Sequence, residues 1–200
     1  MKKLRVAIIG QGRSGKDIHG KYYRSADNAY YNVKYVVDAD EFRRQVSEEI
    51  YPGCRTFADY HELFALDDID LVVNATYSEM HYPITKDLLE HGFNVLVEKP
   101  FSRTIYECND LIRTAKENGV KLLLIAGDLL NSNKVEHSFI ESITDKIRET
   151  KDVQVVFSAG NHDPLNAESP FLKFKRPDNF HLLKTHDDCI EFKELSVRVY

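Results

Sequence analysis

The sequence predicts an α/β fold: a doubly wound, mostly parallel sheet, extended by a C-terminal βαβ unit and a loop-rich tail. Three observations carry this. Short runs rich in Val, Ile and Leu alternate with longer amphipathic segments. The runs are nearly continuous, as strands buried on both faces require. Glycines stand where several of the amphipathic segments should stop.

Each element follows in order. The run Leu4–Ile9 reads as the first strand, followed by a helix over 13–24 and a strand over 33–37. Helices are expected over 40–49 and 59–65, then a strand over 69–74. Ile84, Leu88 and Leu89 fall at helical spacing within 80–91, and Gly92 closes that helix. A strand over 93–97 leads to a helix over 104–118, marked by Leu111, Ile112 and Ala115 and closed by Gly119. A strand over 120–126 follows. Phe139, Ile140, Ile143 and Ile147 mark a helix over 135–149, and a strand over 153–158 completes the alternation. Right-handed crossovers leave few topologies for such a series. Pro164, Pro170 and Pro177 then punctuate the tail, with strand-like pieces at 188–192 and 195–200.

Composition excludes several classes. The 200 residues are 42% hydrophobic and 30% charged, which is ordinary for a globular chain and argues against disorder. A net charge of −5 offers no general attraction to nucleic acid or to an anionic membrane. No apolar run of about 18 residues exists to span a bilayer. The N-terminal apolar run is short and lacks a small-residue cleavage site, so it reads as a strand and not as a signal peptide. Cys54, Cys108 and Cys189 form no CxxC pair, which suggests reduced thiols in the cytoplasm.

The residues Gly10-Gln11-Gly12-Arg13-Ser14-Gly15 spell GxGxxG between the first strand and the first helix. Gly10 suits the tight turn, Gly12 lets the backbone approach a pyrophosphate, and Gly15 lets helix and strand pack closely. The following helix N-terminus offers N–H groups and partial positive charge to phosphates. Asp38, at the end of the second strand, is placed to accept hydrogen bonds from an adenosine ribose. Together these predict a Rossmann-like dinucleotide site. Asp38 and Asp40 would repel a 2′-phosphate, so NAD is favoured over NADP. Arg43 and Arg44 could turn toward such a phosphate, but they are expected on a solvated helix face.

Two later segments add to this. One is Leu71-Val72-Val73-Asn74-Ala75-Thr76, followed by His81; the other is Asn94-Val95-Leu96-Val97-Glu98-Lys99-Pro100. The ordered set resembles the N-terminal half of the Gfo/Idh/MocA oxidoreductases over roughly residues 3–121. The resemblance implies that Lys99 lies beside nicotinamide and substrate as the catalytic cation, and that Glu98 contacts the nicotinamide ribose. It places Asn74, Thr76, His81 and Pro100 along the cofactor cleft, and the Lys99–Pro100 bond is often cis in such proteins. The implied reaction moves hydride between nicotinamide and a carbinol carbon of a sugar or cyclitol. The family's acid/base, usually a histidine of a second domain, is not visible, so cofactor binding is expected more than turnover.

A second constellation begins at 122. Leu122 to Asp128 reads strand-Gly-Asp, and Val155 to Asp163 reads strand-Gly-Asn-His-Asp. The pair resembles calcineurin-like metallophosphoesterases, with the DNA-repair exonuclease branch the nearest in pattern. That resemblance implies that Asp128 bridges two metal ions such as Mn²⁺ and that Asn161 binds one of them. His162, held by Asp163, would then assist phosphoester cleavage. The set is incomplete: no Gly-His-x-His occurs, and His181 and His186 lack the pattern. Asp17-Ile18-His19 spells Asp-x-His inside the first helix and reads as coincidence. The expected organisation is a dinucleotide-binding domain over 1–121 and a partial phosphoesterase-like segment over 122–200, a chimera joined between Gly119 and Ile125. The chain stops at Tyr200 within an alternating pattern, where a natural and an interrupted C-terminus would look the same; the two incomplete sites leave a truncated or fused fragment without catalysis as a third reading. The expected partners are a sugar-like small molecule and further copies of the chain through a sheet edge, with no nucleic acid and no membrane.

Overall fold

All six apolar runs form strands, and four of them enter one parallel sheet. The structure, a computed structural model, describes residues 3–185 and 187–200. His186 therefore lies outside the described residues. The chain divides into two compact units, residues 1–118 and 119–200.

The first unit begins with β1 (Leu4–Ile9), which enters the glycine loop. Its first helix starts as wide π-type turns over Arg13–His19 and continues as α1 (Gly20–Tyr23). Then come β2 (Tyr31–Val37), α2 (Glu41–Ile50), β3 (Arg55–Phe57) and a 3₁₀ segment, Tyr60–Ala65. β4 (Leu71–Asn74), α3 (Ser78–Glu90), β5 (Val95–Val97) and α4 (Ile105–Glu117) complete it. The strand order is β3-β2-β1-β4-β5, every pair parallel. The order reverses between β1 and β4, the switch point where open α/β sheets hold ligands.

The continuous apolar runs have a plain cause. Along β1, Ala7 and Ile9 pack with Tyr35, Val37 and Val72 in one core cluster, while Val6 and Ile8 pack with Val36 and Val73 in another. Both faces of the central strands are buried, so both sets must be apolar. Polar groups fix the helices. The Asp40 side chain accepts from the Arg43 amide to cap α2. Thr104 and Glu107 form a reciprocal capping box on α4. Asp110 ties α4 to α3, accepting from Lys86 Nζ at 2.6 Å, from Arg113 and from the Tyr82 hydroxyl at 2.9 Å. These partners, Lys86 first, hold its carboxyl well below the usual carboxylate range.

The second unit holds β6 (Leu122–Ala126), α5 (His137–Glu149), β7 (Gln154–Ser158), α6 (Pro170–Lys173) and β8 (Phe180–Leu183). A hairpin of β9 (Ile190–Phe192) and β10 (Val197–Val199) follows. The expected βαβ unit is present as β6-α5-β7, but it does not lengthen the first sheet. Its strands form a separate parallel sheet, β6-β7-β8, in which β6 pairs along its whole length with β7, from Leu122↔Gln154 to Ala126↔Ser158. The core of this unit is aromatic, with the Phe157 and Phe171 rings 4.5 Å apart and Phe180 against both. Ile140 and Ile147 on α5 complete it. Among the described residues, no helix is long and apolar enough to cross a membrane.

Candidate functional site

In the first unit the turns leaving β1, β2, β4 and β5 share one edge of the sheet. Backbone bonds continue the ladder past the strands and lock these turns together. Gly10 N–H donates to the Val37 carbonyl at 2.8 Å, Ala75 N–H to Ile9 at 2.9 Å, and Glu98 N–H to Asn74 at 3.1 Å. The platform therefore carries the glycine loop, Asp38, the Asn74–Thr76 turn and the Glu98–Pro100 turn.

The glycine loop has one closed and one open glycine. A Cβ on Gly15 would run into the Gly10 carbonyl oxygen, so any larger residue would push the helix off the strand. A Cβ on Gly12 would meet nothing within 4 Å, so backbone is presented bare at that point. Arg13 is exposed and Ser14 half-buried in the first turn, and no side chain caps the helix start. Gln11 is buried; its N–H donates to Asp38 Oδ2 at 2.7 Å, and its side-chain Oε1 is buried without a hydrogen-bond partner. Bare backbone, an uncapped helix start and an adjacent carboxylate suit the pyrophosphate and ribose of a dinucleotide.

The Asp38 side chain is only 8% exposed, and its Oδ1 accepts from the Asp40 amide at 3.0 Å. Arg43 and Arg44, expected on a solvated helix face, instead turn back to the end of β2. Arg43 Nη1 lies 3.5 Å from Asp38 Oδ2, and the nearby carboxylate raises its pKa further. Arg44 donates to the carbonyls of Asp38 at 2.7 Å and Ala39 at 2.9 Å. The reason is local: the one-turn spacing from Asp40 into α2 brings both guanidinium groups over the strand end.

The second arm of the platform is internally bonded. Asn74 is fully buried, donating to the His81 carbonyl at 3.2 Å and Thr85 Oγ1 at 3.1 Å, while its Oδ1 accepts from Thr76 Oγ1 at 2.7 Å. His81 is buried too. Its Nδ1 lies 2.7 Å from the Pro100 carbonyl and its Nε2 lies 3.2 Å from the Thr76 carbonyl. It thus acts on the site through the two turns that it joins. The Lys99–Pro100 bond is cis, and Lys99 and Pro100 are exposed. Glu98 Oε1 lies 2.6 Å from His19 Nε2. His19 is the residue that sequence reasoning misses: it is set aside there as part of a coincidental Asp-x-His, yet it reaches across to the Glu-Lys-Pro turn.

In the second unit the two singled-out loops do meet, at the carboxyl ends of β6 and β7. Gly127 has φ +77°, and a Cβ there would come within 2.5 Å of Gly160 Cα. The expected role of Asp163 needs correction. Its carboxylate does not hold the His162 ring. It is fully buried and accepts from the backbone amides of Gly160 (2.8 Å), Asp128 (3.0 Å) and Leu130 (3.0 Å). The His162 ring lies instead 3.3 Å from the Asn131 carbonyl, while its backbone N–H donates to Asp128 Oδ1 at 3.1 Å. Three unpaired amides, one buried and two half-buried, would cost more than one unpaired exposed imidazole, which explains the choice. Asn161 is exposed. Among the described residues, no group of three or more His, Cys, Asp or Glu side chains could hold a metal ion, so the residues present do not fit a dinuclear centre.

Comparison with known proteins agrees with the first unit. Residues 4–126 match the oxidoreductase family with NAD-binding Rossmann fold, Gfo/Idh/MocA, five residues beyond the expected limit of 121. The 2,7-anhydro-N-acetylneuraminate hydratase of Mediterraneibacter gnavus is 29% identical over 131 residues, 66% of this chain and 33% of that protein. The inositol 2-dehydrogenase of Mycolicibacterium smegmatis is 34% identical over 128 residues, 62% of this chain and 36% of that protein. The crystal structure of the WlbA dehydrogenase from Bordetella pertussis with NADH and UDP-GlcNAcA aligns with TM-score 0.54 and 25% identity, over 60% of this chain and 34% of that one. The chain thus spans about a third of the length of these relatives. The glycine loop, the strand-end aspartate and the Glu-Lys-Pro turn stand on one sheet edge within the matched span, and the chain belongs to the Gfo/Idh/MocA oxidoreductase family.

Proposed function

We propose that the first unit binds NAD in preference to NADP, for hydride exchange with the carbinol carbon of a sugar or cyclitol. The observation that carries this reading is the pairing of bare backbone at Gly12 with the shielded carboxylate of Asp38. Gly12 and the uncapped helix start would receive the pyrophosphate, Asp38 would receive the adenosine ribose, and a 2′-phosphate would crowd the same carboxylate. Glu98, Lys99 and the turns held by Asn74 and His81 would receive the nicotinamide half. Bound dinucleotide supplies the hydride donor or acceptor that side chains lack. Lys99 would offer positive charge to an oxygen that becomes negative as its carbon is oxidised. The inositol dehydrogenase and the nucleotide-sugar complex among the relatives support a polyhydroxylated substrate. Three free cysteines suit a reducing compartment.

Titration of the full chain with NADH, followed by cofactor fluorescence, tests the reading. Saturable binding is expected, with weaker binding of NADPH. Gly12→Val should abolish it by filling the bare backbone while the core stays intact. Absence of saturable binding at millimolar NADH would overturn the reading. Phosphoester cleavage has no such support, because the loops of the second unit close on themselves without a metal-ligand set among the described residues.

A further inference from the structure

We propose that His19 is a positioning residue that sets Glu98 for the nicotinamide half of the dinucleotide. This rests on the dinucleotide-binding reading above and deepens it. The two side chains are 79 positions apart in sequence, yet His19 Nε2 and Glu98 Oε1 lie 2.6 Å apart, with exposures of only 17% and 20%. A carboxylate only accepts, so the imidazole N–H donates. His19 also stacks on Tyr23, with centroids 6.4 Å apart and planes 23° from parallel, so the ring has support on its other side.

Location gives the pair its meaning. His19 ends the wide π-type segment that follows the glycine loop, and the Gly20 N–H closes that segment onto the Gly15 carbonyl. Glu98 is the first residue after β5, with its backbone pinned by the bond from its N–H to the Asn74 carbonyl. A glutamate so pinned still has three free side-chain torsions. The hydrogen bond from His19 selects one arrangement before any ligand arrives, which removes that ordering cost from binding. The pair also joins the element beside the pyrophosphate site to the turn beside the nicotinamide site. The expected benefit falls on the nicotinamide half alone.

Calorimetric titration of the full chain with two ligands separates the possibilities. NADH spans both halves, whereas ADP presents only adenosine and pyrophosphate. His19→Ala should weaken NADH about three- to tenfold, the size expected for one ordered side chain, and leave ADP affinity unchanged. His19→Gln, whose amide N–H can still donate to Glu98, should recover most of the loss and serves as the readout if the alanine variant folds poorly. In a Glu98→Ala background, His19→Ala should cost NADH nothing further. Equal weakening of NADH and ADP would mean a merely structural role for His19 and would overturn the proposal, as would unchanged NADH binding. A parent chain that binds neither ligand would overturn the dinucleotide reading itself, and this inference with it. With a parent chain that binds both, the variants report on His19 alone.

Discussion

The two units place polar, glycine-containing turns at the same position, the carboxyl ends of parallel strands, and use them oppositely. In the first unit the turn after β1 leaves backbone bare at Gly12 and leaves the helix start uncapped by side chains. In the second, the turns after β6 and β7 close upon each other, Gly127 against Gly160, and Asp163 accepts three backbone amides. The same strand-end geometry thus leaves backbone uncovered in the first unit, and serves the fold in the second, where the chain brings its own carboxylate. The second unit in effect carries an internal anion. Its motif residues therefore give up much of the polar capacity that a second substrate would need.

This contrast predicts unequal responses to substitution. Asp163→Ala should have the largest effect, destabilising the second unit by about 2–4 kcal/mol, since one buried and two half-buried amides lose their acceptor. Amide exchange in β6, β7 and β8 should speed up while NADH affinity of the first unit is kept; a matching loss of NADH affinity would break the comparison. First-unit stability is spread over smaller contributions. Thr104→Ala removes half of the α4 capping box and should cost about 1 kcal/mol, read as faster exchange at the Glu107 and Cys108 amides. The smallest effect concerns acid. Because Lys86, Arg113 and Tyr82 lower the Asp110 pKa, its contribution is complete above about pH 4, the ordinary carboxylate value, and fades as pH falls below that. Thermal melts of Asp110→Asn from neutral to strongly acid pH should show a shallower acid decline than the parent; parallel declines would remove Asp110 from the account.

The sequence disclosed the large elements because their signals are continuous. β1, β2, β4, β5, β6 and β7 all form on continuous apolar runs, although Leu123 and Leu124 of β6 stay exposed, and GxGxxG sits within a single turn. It hid β3, since Arg55–Phe57 is a three-residue edge strand with no apolar run, and β8, since Phe180–Leu183 is a short piece within a proline-marked tail. Site residues divide in the same way. Asp38 could be placed from the end of β2, but the His19–Glu98 contact joins positions no local pattern links. The mistaken partner for Asp163 has a related cause. Adjacency in Asn161-His162-Asp163 suggested a side-chain pair, whereas the decisive amides of Asp128 and Leu130 come from the loop beyond β6.

Strand β6 has a double allegiance. By descent it falls inside the family match, which ends at Ala126; by hydrogen bonding it belongs to the sheet that it forms with β7. Inheritance and mechanics therefore draw different borders through this chain. A scissor placed at the inherited border would sever five rungs of a ladder and leave β7 as a bare margin, with Val155, Val156 and Phe157 losing the neighbour that shelters them. Any attempt to separate the halves, or to graft either onto another protein, has to respect the mechanical border before β6 rather than the ancestral one after it.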